Sequence, residues 1–337
     1  MNFDMLALMV VGLLPVVTFL AVLLYLDSYK LVKLRTVVAV VACGAAAAVA
    51  SYQINAVALA LFPLDLSAYS RYVAPVVEEL LKAAIIVVLI RMHRIGFLVD
   101  AAICGFAVGT GFALVENLYY LRAIPDAGTG TWIVRGFGTA FMHGGVTAIF
   151  AIMGLALLER GRHPSALALL PGFALAVALH SGYNHLSQWP RVSALAALVV
   201  LAPLLYAVFQ RSEKALGKWL GQGFDADAEM LALINSGELS DSPVGRYLNT
   251  MTGRFRGAVV ADLLCYMRIY TELALRAKGD LMMRESGFDV SVDEETQSKF
   301  EEMRYLERSI GKTGLKALKP MLHLRPKDLW QLYMLAD

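Results

Sequence analysis

Residues 75–90 read PVVEELLKAAIIVVLI. The second half is alanine, isoleucine, valine and leucine, a composition suited to hydrocarbon. The first half sets two carboxylates and an ammonium, Glu78, Glu79 and Lys82, into the same run. Ionisable side chains are costly in a spanning helix and normally turn toward the interior of a bundle, where they mark function. The stretch therefore predicts a membrane helix that is one wall of a polar interior.

Composition extends the reading outward. The chain is 58% hydrophobic and 17% charged, against roughly 45–50% and about 25% for a soluble domain. Residues 1–210 carry 12 of the 30 Lys/Arg and 9 of the 28 Asp/Glu; residues 211–337 carry the rest. The first part has the charge density of a membrane domain, the second that of a soluble one. The near-zero net charge of the second part gives no sign of nucleic-acid binding. Cys43, Cys104 and Cys265 form no CxxC pair, so neither a disulfide framework nor a thiolate zinc site is expected. Asp4 stands where a signal peptide would carry basic residues, and the first apolar run reads as a retained helix.

A spanning helix needs about 20 mostly apolar residues. Seven stretches qualify, near 5–26, 37–62, 72–90, 96–121, 132–158, 165–187 and 193–210. The fold expected is all-α: a polytopic bundle of about seven transmembrane helices over 1–210, followed by a mostly helical cytosolic domain over 211–337. Lys30, Lys33, Arg35, Arg91, Arg94, Arg160, Arg162, Arg211, Lys214 and Lys218 fall in alternate connections, with Arg71, Arg122 and Arg191 in the others. Positive residues mark the cytoplasmic side, which puts the N-terminus outside and the C-terminal domain inside. In that domain 225–234, 258–278 and 295–310 read as helices, 235–245 as a loop, and 284–300 as a break in the pattern.

The polar residues inside the predicted spans are Glu78, Glu79, Lys82, Glu116, His143 and His180, with Asp100 near a cytoplasmic end. Glu78 and Lys82, Phe112 and Glu116, His143 and Thr147, and His180 and Asn184 are each four apart, on one helix face. Counted along the alternating helices at about 1.5 Å per residue, Glu78, Glu116, His143 and His180 all fall in the outer half of the bilayer. If these helices pack together, one site can be built from Glu78, Glu79, Glu116, His143 and His180. Arg122, Arg135 and His185 read as interfacial. Gly105, Gly109 and Gly111 allow close helix approach.

Carboxylates and histidines in a desolvated pocket can activate water, with Glu as general base and His or Asn as oxyanion donors. Two His with Glu also suit catalytic zinc; the metal candidates are Glu79, Glu116, His143 and His180. No serine or cysteine stands beside a histidine in a triad-like setting, so hydrolysis by activated water is the natural enzymatic reading. A catalytically inactive membrane-protein-binding relative and a proton-coupled small-solute transporter are the alternatives. Inverted repeats would favour transport, and none is visible by eye.

The set EELLK (78–82), FALVE (112–116), HGGVT (143–147) and HSGYN (180–184) resembles the PrsW family of intramembrane proteases, which shows EExxK, FxxxE and histidine motifs on successive helices. That family is related to the CPBP group with its CAAX prenyl endopeptidases, whose usual forms are EExxxR, FxxxH and HxxxN. Lys82 and Glu116 point to the PrsW branch. The resemblance covers about residues 70–190. It implies an endopeptidase of a bacterial inner membrane that cuts a single-pass membrane protein, of the anti-sigma-factor kind, near the outer face. Carried over from the CAAX relatives, Glu78 would be the base, and His180 with Asn184 the oxyanion donors. Glu79, partnered by Lys82, would orient the group; Glu116 and His143 would position water. The lineage leaves open whether zinc is held.

Overall fold

The computed structural model describes residues 3–61, 65–160, 166–288, 290, 293–318, 321–322 and 326–336. The end of the second predicted span (Phe62), the loop residue Arg162 and the start of the sixth predicted span lie outside them. The chain divides into two compact units, Met1–Asp27 with Leu31–Glu213, and Ser28–Lys30 with Lys214–Asp337. No strand occurs among the described residues.

The first unit contains α1 (Phe3–Leu26), α2 (Leu34–Leu61), α3 (Ala74–Arg91), α4 (Leu98–Ala123), α5 (Ala140–Arg160), α6 (Leu170–His185) and the start of α7 (Pro190–Ser236). Two π-helical turns interrupt the regular path, Tyr69–Val73 just before α3 and Arg135–Thr139 just before α5. Among the described residues six helical stretches are long and apolar enough to cross a membrane. The expected seventh, α3, falls outside that set because Glu78, Glu79, Lys82 and Arg91 crowd its 18 residues. With Leu66–Ala68 and the π turn ahead of it, its helical path begins at Leu66. Leu34, Val38, Leu61, Leu80, Leu195 and Val199 are exposed on the outside of the unit, an apolar surface that suits surrounding lipid.

α4 forms the centre. It starts where Phe97 turns extended and the buried Asp100 carboxylate accepts the Gly96 and Phe97 N–H groups, each at 2.7 Å. Asp100 is thus a helix-start residue and stands apart from the polar site. From Val99 to Ala113 every residue of α4 is buried. Its glycines meet neighbouring backbone directly. A methyl added at Gly109 would lie 2.5 Å from the His143 carbonyl carbon and 2.6 Å from Gly144 Cα of α5. One added at Gly111 would run into the Val41 carbonyl of α2. Small residues here bring α5, and with it His143, against α4.

In the second unit, α7 continues to Ser236, a 3₁₀ turn Glu238–Asp241 sits inside the expected loop, and α8 (Pro243–Met251), α9 (Gly257–Glu285), α10 (Glu294–Leu318) and α11 (Pro326–Ala336) follow. α9 buries Leu263, Met267, Leu273 and Leu281 against α10, which offers Phe300, Met303, Leu306 and Ile310, and against Trp330 and Leu335 of α11. Lys278 is buried with its ammonium 2.5 Å from Asp227.

Candidate active site

α3 delivers Glu78, Glu79 and Lys82 into the interior of the first unit. The Lys82 side chain is fully buried and that of Glu79 is 2% exposed. Lys82 Nζ donates to Glu79 Oε1 at 2.5 Å, an i,i+3 pair. The ammonium also lies 3.1 Å from His143 Nδ1 and 4.7 Å from the centre of the Phe112 ring. Lys82 therefore partners Glu79, and the spacing of four that suggested Glu78 as its partner does not decide the pairing. Phe112 serves as the apolar and π-face wall for both Lys82 and His143, whose ring centroid is 5.0 Å from its own.

Each histidine is held by a carboxylate on another helix. His180 Nδ1 is 2.7 Å from Glu79 Oε1, and His143 Nε2 is 2.8 Å from Glu116 Oε2. A carboxylate accepts and an ammonium donates, so these partners assign the protons: His180 carries one on Nδ1, His143 on Nε2. His180 Nε2 and His143 Nδ1 keep their lone pairs. The two rings meet edge to face at 4.8 Å. The helical run that carries His143 begins at Thr129, ahead of α5.

Glu78 is different. Among the described residues its carboxylate accepts no hydrogen bond; its ionic neighbour is His180 Nε2 at 3.8 Å. One ligand atom from each of Glu78, His143 and His180 lies within 4.8 Å of the others. Two imidazoles and a carboxylate are a catalytic zinc set. The 3.8 Å between Glu78 and His180 would have to close by about half an ångström to match two ligands each about 2 Å from one tetrahedral ion. A carboxylate on the far nitrogen of a ligating histidine is the usual orienting arrangement. These residues fit a metal ion, with Lys82 the group that would have to yield at His143 Nδ1. Glu79 and Glu116, expected among the ligands, are instead engaged by His180 and Lys82 and by His143 and Arg135.

Arg135 was expected at the interface. Its side chain is 14% exposed, with Nη2 3.1 Å from Glu116 Oε1 and Nε donating to Asn117 Oδ1 at 2.9 Å. Its guanidinium lies 3.9 Å over the Tyr120 ring. Asn184, expected beside His180, points elsewhere: its amide donates to the Ser70 carbonyl at 2.9 Å, while Ser181 Oγ donates to the Arg71 carbonyl at 2.6 Å. Both acceptors belong to the π turn before α3, so α6 anchors that turn. Thr147 donates back to the His143 carbonyl at 2.9 Å and takes no part in the cluster.

The sequence model of the PrsW-protease family, described as "PrsW family intramembrane metalloprotease", matches residues 33–208. No curated protein and no solved structure matches the chain.

Proposed function

The chain belongs to the PrsW family of intramembrane metalloproteases, and from that premise we propose that it hydrolyses a peptide bond of a single-pass membrane protein, of the anti-sigma-factor kind, with water activated at Glu78. The observation that carries the proposal is the convergence of Glu78, a carboxylate without a hydrogen-bond partner among the described residues, with two histidines each fixed by another carboxylate. Glu79 accepts the Nδ1–H of His180, which leaves the Nε2 lone pair free for an ion beside Glu78. Glu116 accepts the Nε2–H of His143. Lys82 neutralises Glu79, as Arg135 does Glu116, and leaves Glu78 the one carboxylate of the three without a cationic partner of its own. Glu78, His143 and His180 would hold zinc, which when bound supplies a water of lowered pKa and polarises the scissile carbonyl. Asn184 acts at one remove, by holding the π turn from which α3 starts. The charge pattern of the loops supports an N-terminus outside and residues 211–337 in the cytoplasm, and the family supports a bacterial inner membrane.

One observation favours a second reading, in which Glu78 is a general base without metal: the Lys82 ammonium occupies the lone pair of His143 that an ion would need. One experiment tests both. Purified wild type and Glu78→Gln are incubated with a panel of single-pass membrane proteins, with metal content measured on the same samples. Wild type should cleave and hold one equivalent of zinc; Glu78→Gln should fold and not cleave. Cleavage that survives chelation with no bound metal would select the general-base reading. Cleavage by Glu78→Gln at the wild-type rate would overturn both.

A further inference from the structure

Arg135 belongs to none of the motifs that carry the site, yet it completes the polar network. Its fork bridges Glu116 and Asn117, and the Asn117 amide donates to the Gly12 carbonyl of α1 at 2.8 Å. Glu116 thus has one oxygen on Arg135 and the other on His143. The π turn is what makes this possible. In a regular helix each residue turns about 100°, so residues 135 and 143, eight apart, would face directions about 80° apart. A π turn accommodates one extra residue within the helix. The interval then counts as seven residues, about 700°, and the two side chains fall within about 20° of the same face. Arg135 and His143 consequently reach the same carboxylate from two levels of one helix. The turn also sets Gly136 against the backbone of α1 at Val11 and Gly138 against Ala194 of α7, so neighbours on either side hold it in place.

We propose that Arg135 is a positioning residue of the hydrolytic site: seated by the π turn and by Asn117, it fixes Glu116 so that this carboxylate holds the Nε2–H of His143 and aims the ring into the cluster. The proposal rests on the proteolytic reading only for what His143 is aimed at. Arginine suits the task because a planar fork can grip two acceptors at once, whereas an ammonium is a single point of charge.

The test uses the full chain in detergent micelles, labelled with ring-¹⁵N histidine. The His143 Nε2–H signal is assigned by its loss in His143→Gln, and its exchange with water is then measured. In wild type this proton should be present and protected. Arg135→Lys, which keeps the charge but not the fork, and Asn117→Ala, which keeps arginine but removes its second anchor, should each speed exchange on the order of tenfold. In a Glu116→Gln background Arg135→Lys should add nothing further, the non-additivity expected of residues acting through one group. Zinc affinity, read by competition with a chelating dye, should weaken roughly tenfold in Arg135→Lys. Far-UV circular dichroism checks that each variant is folded. Unchanged protection in both Arg135→Lys and Asn117→Ala, or an Arg135→Lys effect that persists in full without Glu116, would overturn the proposal. If wild type binds no zinc, the metal reading fails while the His143 proton still decides the role of Arg135.

Discussion

Replacing Lys82 by methionine is the sharpest test of how the interior is balanced. Lys82 is fully buried and Glu79 nearly so, 2.5 Å apart. Methionine nearly matches the lysine stem in length, so the change removes charge while leaving little cavity. What remains is a buried carboxylate whose one other partner of opposite tendency is the Nδ1–H of His180 at 2.7 Å. Removing one member of a buried ion pair costs about 3–5 kcal/mol, because the other is left uncompensated. The lost contact with the Phe112 ring is part of that sum. The double variant Glu79→Gln/Lys82→Met removes both charges and keeps an acceptor for His180. It should recover most of the loss, giving a coupling of about 2–3 kcal/mol between the two positions. The assay is unfolding of purified protein by titration with sodium dodecyl sulfate, followed by far-UV circular dichroism. A loss under about 1 kcal/mol in Lys82→Met, or a double variant no better than the single, would refute the assignment of Lys82 as the charge partner of Glu79.

Gly109→Ala should lose about 1–3 kcal/mol in the same titration, since its methyl would meet the His143 carbonyl carbon at 2.5 Å. Gly128→Ala, with nothing within 4 Å, should lose none. Asn184→Ala should cost about 1 kcal/mol through the freed Ser70 carbonyl and reduce cleavage less than tenfold; a hundredfold loss of turnover would return Asn184 to the role of oxyanion donor. In the second unit, hydrogen bonds from the Thr296 hydroxyl and then the Thr296 N–H hold the Asp293 carboxyl at about 2, below its ordinary 3.8. A depressed folded value means that this stabilisation is present above pH 3.8 and lost as the pH falls toward 2. Amide protection in the first turn of α10, taken relative to the intrinsic exchange rate at each pH, should therefore fall over that window in wild type, and Asp293→Ala should abolish that fall.

The fold class was legible because hydrocarbon imposes so few solutions: long apolar runs with polar residues on one face can only be spanning helices with a shared interior. The convergence of Glu78, Glu79, Glu116, His143 and His180 was legible for a related reason, since counting depth along alternating helices needs only the rise per residue. What escaped was whatever depends on departures from the regular helix. Arg135 read as interfacial because it lies near the edge of its predicted span, and regular helix geometry would turn it away from His143; a π turn leaves no mark in a sequence beyond a cluster such as RGFGT, which is equally a packing seam. The partner of Lys82 could not be read from spacing, because three and four residues both lie on one face; the family resemblance named Glu79, the partner the structure has. Asn184 shared a face with His180, but the carbonyls freed by the first π turn, at Ser70 and Arg71, drew its amide and the Ser181 hydroxyl away.

The direct backbone contacts of α4 have a mechanical meaning. Gly109 on His143 and Gly144, Gly111 on Val41, and Gly44 of α2 on Val108 set backbone against backbone at these points, with no side chain there to rearrange. α2, α4 and α5 thus interlock as a single stator, unable to slide or part without breaking many contacts together. α6 meets α5 less closely at Gly172, where an added methyl would lie 3.3 Å from Met153 and Phe150. α3 reaches α5 through the buried Lys82 ammonium at His143 Nδ1 and packs on α2 and α6 as well. Glu78 and Glu79 thus ride on a helix outside the glycine-locked set, while Glu116 and His143 belong to it.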